Sequence, residues 1–271
     1  MLKKRLIASL LCRNGRIVQS VRFKHTNVIG NAITAVDFFN TWAIDEIVLL
    51  DISSDEKNRQ AFFDIIQALS KRCFVPLSVG GWVASLDDIQ QLLHYGADKV
   101  IINSEAVKNP DFITEAATVF GSQCIIISID VKMTSGKYEV FIDRGKVPTG
   151  RTPVEWALQA QQCGAGEIYL TSIDQDGSKK GYDLKLISMV SSQLEIPVIA
   201  SGGVGNWEHL VQGIEVGKAQ AVSAANIFHY TEHSTKKAKD FLLENKIDVR
   251  QPVFFQLNEP KKTEYITNYR V

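Results

Sequence analysis

The chain has 271 residues, 45% of them hydrophobic, and its 30 basic side chains are balanced by 30 acidic ones. That neutrality excludes a global field for nucleic acid or an anionic membrane, and no apolar run approaches the roughly 20 residues that span a bilayer, so a cytoplasmic protein is expected. The four cysteines, Cys12, Cys73, Cys124 and Cys163, lack metal-ligand spacing and read as reduced thiols, with no metal or cofactor called for.

In chain order, short apolar runs alternate with amphipathic stretches. Strands are expected at Leu6–Leu11, Glu46–Asp51, Val75–Val79, Lys99–Asn103, Cys124–Asp130, Glu167–Ser172, Val198–Ser201 and Ala219–Ala224. Between them, helices are expected at Asn31–Trp42, Lys57–Ser70, Pro153–Cys163, Leu184–Gln193, Trp207–Val216 and Ser234–Asn245. Another helix follows the capping box Ser85-Leu86-Asp87-Asp88 and stops at Gly96, and Asn109-Pro110 opens the next in cap-then-proline order. Eight strand-helix units with a parallel sheet predict an α/β protein, a single (β/α)8 TIM barrel.

The barrel carries an internal repeat. Glu46–Leu49 recurs as Glu167–Leu170, 121 residues on, and Pro76–Gly81 recurs as Pro197–Gly203 with the glycine pair shifted by 122. Two half-barrels are expected, about residues 1–121 and 122–250, and residues 251–271 read as a C-terminal tail. Gly80-Gly81 and Gly202-Gly203 each follow a buried strand. One such pair reads as a tight turn; two in symmetric positions favour backbone N–H groups cradling a ligand with phosphates at both ends. Asp174–Lys179 has the same turn character after the sixth strand.

The stretch Gly121–Lys132 organises the rest. Its run Cys124–Asp130 is rich in β-branched residues and ends on a carboxylate, which places Asp130 at a functional rim as the first candidate for catalysis. The corresponding residue on the first strand is Leu11. Trp82 stands where the second half has Val204. The histidines His94, His209, His229 and His233 lack paired ligand spacing and read as structural or surface residues; Lys24 and His25 read as solvated loop charges.

The segments Leu77–Gly81, Gly96–Val100, Ile102–Ser104, Gly121–Cys124, Leu170–Asp174, Asp176-Gly177, Gly181–Asp183, Ile199–Gly203 and Ile227–His229 together resemble the cyclase subunit of imidazole glycerol phosphate synthase, a twofold barrel of histidine biosynthesis. The resemblance spans about residues 1–250. It implies a glutaminase partner that releases ammonia, passage of that ammonia through the barrel, and two aspartates that close an imidazole ring on a phosphorylated ribulosyl substrate. Asp130 matches the second aspartate, and Leu11 replaces the first. The resemblance further implies phosphate or ligand contacts at Gly81, Asn103, Ser104, Thr171, Asp176, Gly177, Ser201, Gly202, Gly203 and Asn226. Gln19, Trp82, Gln175 and Asn226 depart from the family pattern on this same face.

The opposite face keeps the pattern. Arg5, Glu46, Lys99 and Glu167 open strands one, two, four and six, and their charges read structurally as an ion-pair plug. The resemblance implies instead an ammonia gate, with Asp98 as a glutaminase contact. Three readings follow. One is a paralogue that supplies ammonia, with a sugar-amidinating enzyme, for a surface polysaccharide. The second is a genuine histidine-pathway cyclase, and the third is a catalytically silent scaffold for the glutaminase.

Overall fold

A computed structural model describes residues 3–30, 32, 44–54, 59–228 and 234–251. The helix expected at Asn31–Trp42, the start of Lys57–Ser70, His229, His233 and the tail beyond Gln251 lie outside the described residues.

Eight parallel strands close into a barrel: β1 (Arg5–Arg13), β4 (Glu46–Asp51), β5 (Leu77–Gly80), β6 (Lys99–Ile102), β7 (Ile125–Thr134), β10 (Glu167–Ser172), β11 (Val198–Ser201) and β12 (Ala221–Ala224). They pair in that order, and β12 returns to β1 through Arg5 opposite Ala221. All eight expected strands are present, with ends moved by a few residues. Each reads as a nearly continuous apolar run because both faces are buried. One face turns inward to Ile7, Val48, Ile101, Ile126, Tyr169, Ile199 and Ala221. The other packs under the surrounding helices through residues such as Leu6, Leu10, Ile47, Ile127 and Ile168.

Helices α1 (Arg59–Ser70), α2 (Leu86–His94), α3 (Ser104–Lys108), α4 (Asp111–Phe120), α5 (Pro153–Gln162), α6 (Leu184–Ser191), α7 (Trp207–Glu215) and α8 (Ser234–Glu244) cover the barrel. Ser85 caps α2 as its motif predicts, accepting the Asp88 N–H at 3.2 Å, while Asp88 reaches back to the N–H of Ala84. Asn109 behaves differently: Pro110 is the cap of α4, with no side-chain cap bond, and Asn109 contributes only its carbonyl, to Phe112. The short α3 escaped the sequence reading because five residues carry too little periodicity.

The larger departure concerns the segments after β1 and β7. Instead of loops, each forms an antiparallel excursion: β2 (Arg16–Val21) with β3 (His25–Gly30), and β8 (Lys137–Ile142) with β9 (Val147–Pro148). Tight turns explain them. Asn14-Gly15 and Ser135-Gly136 both take positive φ at two successive residues, the geometry that matches the strand twist in two-residue hairpins. These pairs are 121 residues apart, as are the next left-handed pairs, Arg22-Phe23 and Asp143-Arg144.

Candidate active site

Four adjacent strands raise a polar arc at the C-terminal mouth. Asp130 lies beside Thr171 in the β7–β10 pairing and Thr171 beside Ser201 in the β10–β11 pairing, while Asn103 stands just past β6. The strand β7 was expected to end on Asp130. It continues to Thr134 because β8 pairs with it, and this leaves the carboxylate within the mouth, 8% exposed, rather than on an open rim. Burial pushes the Asp130 carboxyl up to about 7, against the Asn103 amide, which donates to Oδ2 at 2.8 Å; the Asp176 charge adds to the rise. A carboxyl poised there exchanges a proton readily near neutral pH. On the opposite stave, Leu11 sits beside Leu50 of β4, so the residue corresponding to Asp130 is apolar; the carboxylate at that strand's end, Asp51, accepts the Ser53 N–H and hydroxyl.

The glycine pairs turn out to be required by packing. Gly81 has φ +122, and a Cβ there would lie 2.6 Å from Asp51 Cβ; Gly203 has φ +107, and its Cβ would lie 2.1 Å from the Gly181 carbonyl. Gly202 likewise takes φ +93. Both pairs bend the chain against the preceding strand's end, at Asp51 and at Ser172. Trp82 follows with φ +59, a strained backbone for a bulky residue. Its carbonyl accepts a bond from Arg59, whose other nitrogen pairs with Asp88 at 2.6 Å.

Asp176 and Gly177 hold the β2–β3 excursion in place. The Asp176 carboxylate accepts the Ser20 hydroxyl at 2.7 Å and the Phe23 N–H at 3.3 Å, and its carbonyl accepts the Arg22 N–H. Burial raises the Asp176 carboxyl despite these bonds. A Cβ on Gly177 would sit 2.4 Å from the Ser20 carbonyl. Ser104 Oγ accepts the Asp143 N–H at 3.1 Å, so it anchors the second excursion. Asn226 opens the turn Asn226–Phe228 after β12. Lys24 and His25 belong to the first excursion rather than to a loop.

At the N-terminal end the four expected charges meet. Arg5 bonds both Glu46, at 2.7 Å, and Glu167; Lys99 bonds Glu46 at 3.2 Å and Glu167 at 2.7 Å. The signs alternate, so each carboxylate faces two cations. Burial works against ionising Glu167, but Arg5 and Lys99 hold its carboxyl below the usual range. Sequence reasoning missed a fifth member, Ser78, which donates to Glu46 Oε1 at 2.6 Å. Asp98 is exposed nearby, although one of its oxygens accepts the Leu77 N–H at 2.8 Å.

Between ring and mouth the interior is largely apolar, but among the described residues it holds Ser128 and a hydroxyl cluster that sequence reasoning also missed. Tyr169 is 2% exposed, and its hydroxyl lies 3.1 Å from Ser9 Oγ, 3.0 Å from Ser201 Oγ and 3.2 Å from Ser223 Oγ. A signal existed: within the repeat, Tyr169 stands where the first half has Val48. Among the described residues, no group of three or more His, Cys, Asp or Glu is placed to hold a metal.

A closed (β/α)8 barrel with a poised carboxylate at its C-terminal mouth defines a barrel protein of the kind that places its chemistry on the strand ends. The chain belongs to the histidine biosynthesis protein family, which it matches over residues 5–234. It is 43% identical over 250 residues to the imidazole glycerol phosphate synthase subunit HisF of Chloroherpeton thalassium, covering 92% of this chain and 100% of that protein. It is thus a HisF-like barrel of the cyclase type.

Proposed function

We propose that this chain is the barrel subunit of a glutamine amidotransferase complex. A class I glutaminase docks on the N-terminal face, and ammonia enters through Arg5, Glu46, Lys99 and Glu167. It then reaches a phosphorylated ligand at the mouth. The reading is carried by the contrast between the two ends: the charged ring is complete, whereas Leu11 stands opposite Asp130 where the family places an aspartate. One carboxyl can move a proton out and back but cannot serve as acid and base at once. Ammonia delivered here therefore serves another acceptor, in our reading a surface-polysaccharide sugar amidinated by a further enzyme. Exposed Phe74 and Asp98 on the N-terminal face offer an apolar and an acidic contact to the glutaminase.

Ligand contacts are assigned to Gly81, Asn103, Thr171, Ser201, Gly202, Gly203 and Asn226 at the mouth. Asp176, Gly177 and Ser104 act on the ligand through the excursions they hold. A second reading, a histidine-pathway cyclase, is favoured by the Asp130–Asn103 pair and its near-neutral carboxyl.

Turnover of the family's ribulosyl substrate by the purified barrel, supplied with ammonium salt, separates the two. Loss of one acid–base partner predicts a rate about 10²–10⁴ below that of an ordinary cyclase subunit. An ordinary rate overturns the assignment of another acceptor in favour of the cyclase; passage of ammonia through the barrel belongs to both readings.

A further inference from the structure

Four hydroxyls from four neighbouring staves meet inside the bore, Ser9 on β1, Tyr169 on β10, Ser201 on β11 and Ser223 on β12, and the buried Ser128 of β7 lies beside Tyr169 in the strand register. Below them lies the layer of Ile7, Val48, Ile101, Ile126, Ile199 and Ala221; above them lie Asp130 and Thr171. Burying polar groups among isoleucines is unfavourable unless each is bonded, so packing alone gives no reason for the cluster. Its hydrogen bonding is also incomplete. The four hydroxyls carry four protons, and the three contacts at 3.0–3.2 Å use three of them. One O–H and several serine lone pairs remain to be offered to a guest.

We propose that this cluster is a binding station for neutral ammonia midway along the barrel. The inference rests on the conduit reading and assigns its interior site. Ammonia has three N–H donors and one lone pair, which complement several serine acceptors and one remaining hydroxyl donor. No carboxylate belongs to the cluster, so nothing in it selects ammonium over ammonia. Ammonia leaving the charged ring must shed hydrogen bonds to cross the isoleucine layer, and the station restores them before the mouth. Tyr169 is central because its hydroxyl joins all three serines, and its ring packs in one layer with Ile7, Val48 and Ile199.

The test is an internal isotope competition. The barrel–glutaminase complex, at a concentration equal to that of the acceptor so that even ring closure slowed by Leu11 gives measurable product, is given glutamine labelled with 15N at the amide, unlabelled ammonium in the buffer, and the family's ribulosyl substrate as acceptor. The 15N fraction of the imidazole product, read by mass spectrometry, reports delivery through the barrel independently of turnover rate. Tyr169→Phe keeps the ring and removes the hydroxyl. We expect it to lower the ratio of glutamine-derived to solvent-derived nitrogen roughly threefold to tenfold, the loss of one or two neutral hydrogen bonds. Paired Ser9→Ala and Ser223→Ala changes, which leave Tyr169 in place, should move the ratio the same way. Lys99→Ala serves as the control on the conduit itself. If Lys99→Ala lowers the ratio and the Tyr169 and serine variants leave it at the wild-type value, the station is overturned and the conduit stands. If the wild-type product carries no more 15N than ammonia equilibrated with the buffer would give, the conduit reading fails, and the station with it.

Discussion

At the scale of single residues, Asp130 couples function to stability. Its carboxyl is raised to about 7 in the folded protein, chiefly by burial, above the ordinary aspartate value of 3.8. A raised acid favours the folded state while it is protonated. That contribution is complete below pH about 4 and is lost as pH rises through about 7. The full loss amounts to up to about 4 kcal/mol. Asp130→Asn keeps an oxygen for the Asn103 amide and removes the charge. The variant should therefore be more stable than the parent at pH 8, with the difference shrinking toward pH 5, as urea unfolding at the two pH values would reveal. A constant difference across that range would mean that some other group sets the pH dependence.

At the scale of elements, the two antiparallel excursions are clasped over the mouth by residues on other strand ends. Asp176 takes the Ser20 hydroxyl and the Phe23 N–H, and Gly145 leaves room for the Phe23 ring, 3.1 Å from where its Cβ would be. Removing a charged acceptor costs about 1.5–3 kcal/mol per bond. Asp176→Ala should therefore raise amide exchange across residues 16–30 by roughly tenfold or more and leave the barrel strands as protected as before. Mass spectrometry of exchanged peptides reads this directly. Faster exchange spread evenly over the strands would instead make Asp176 a global stability residue.

At the scale of the whole molecule, closure depends on tying the last helix to the first strands. Lys239 of α8 is fully buried and meets Asp45 Oδ1 at 2.6 Å, while Asp45 Oδ2 accepts the Leu6 N–H at 2.9 Å. Lys239→Ala leaves an uncompensated buried carboxylate and should cost about 3–5 kcal/mol. Combining Lys239→Met with Asp45→Asn keeps an acceptor for Leu6 without charge and should recover most of that loss in urea unfolding. A single-variant cost below 1 kcal/mol would place the anchoring of α8 elsewhere, in Ala238 and Leu242.

The sequence by itself determined the barrel, because eight apolar runs buried on both faces admit few other arrangements, and its 121-residue spacing recurs in the paired turns after β1 and β7. Asp130, Leu11 and the four members of the charged ring were legible too, since strand ends and strand starts place side chains on known faces. Only the tertiary structure decided what those residues do to one another. The near-neutral Asp130 carboxyl needs the burial that β8 imposes by prolonging β7. Asp176 became a clasp only when β2 and β3 were seen to fold across it, and Tyr169 gained its three serines from strands up to 160 residues away. Local periodicity carries information about which face a side chain takes; the partners it meets there belong to chain segments that the local sequence does not encode.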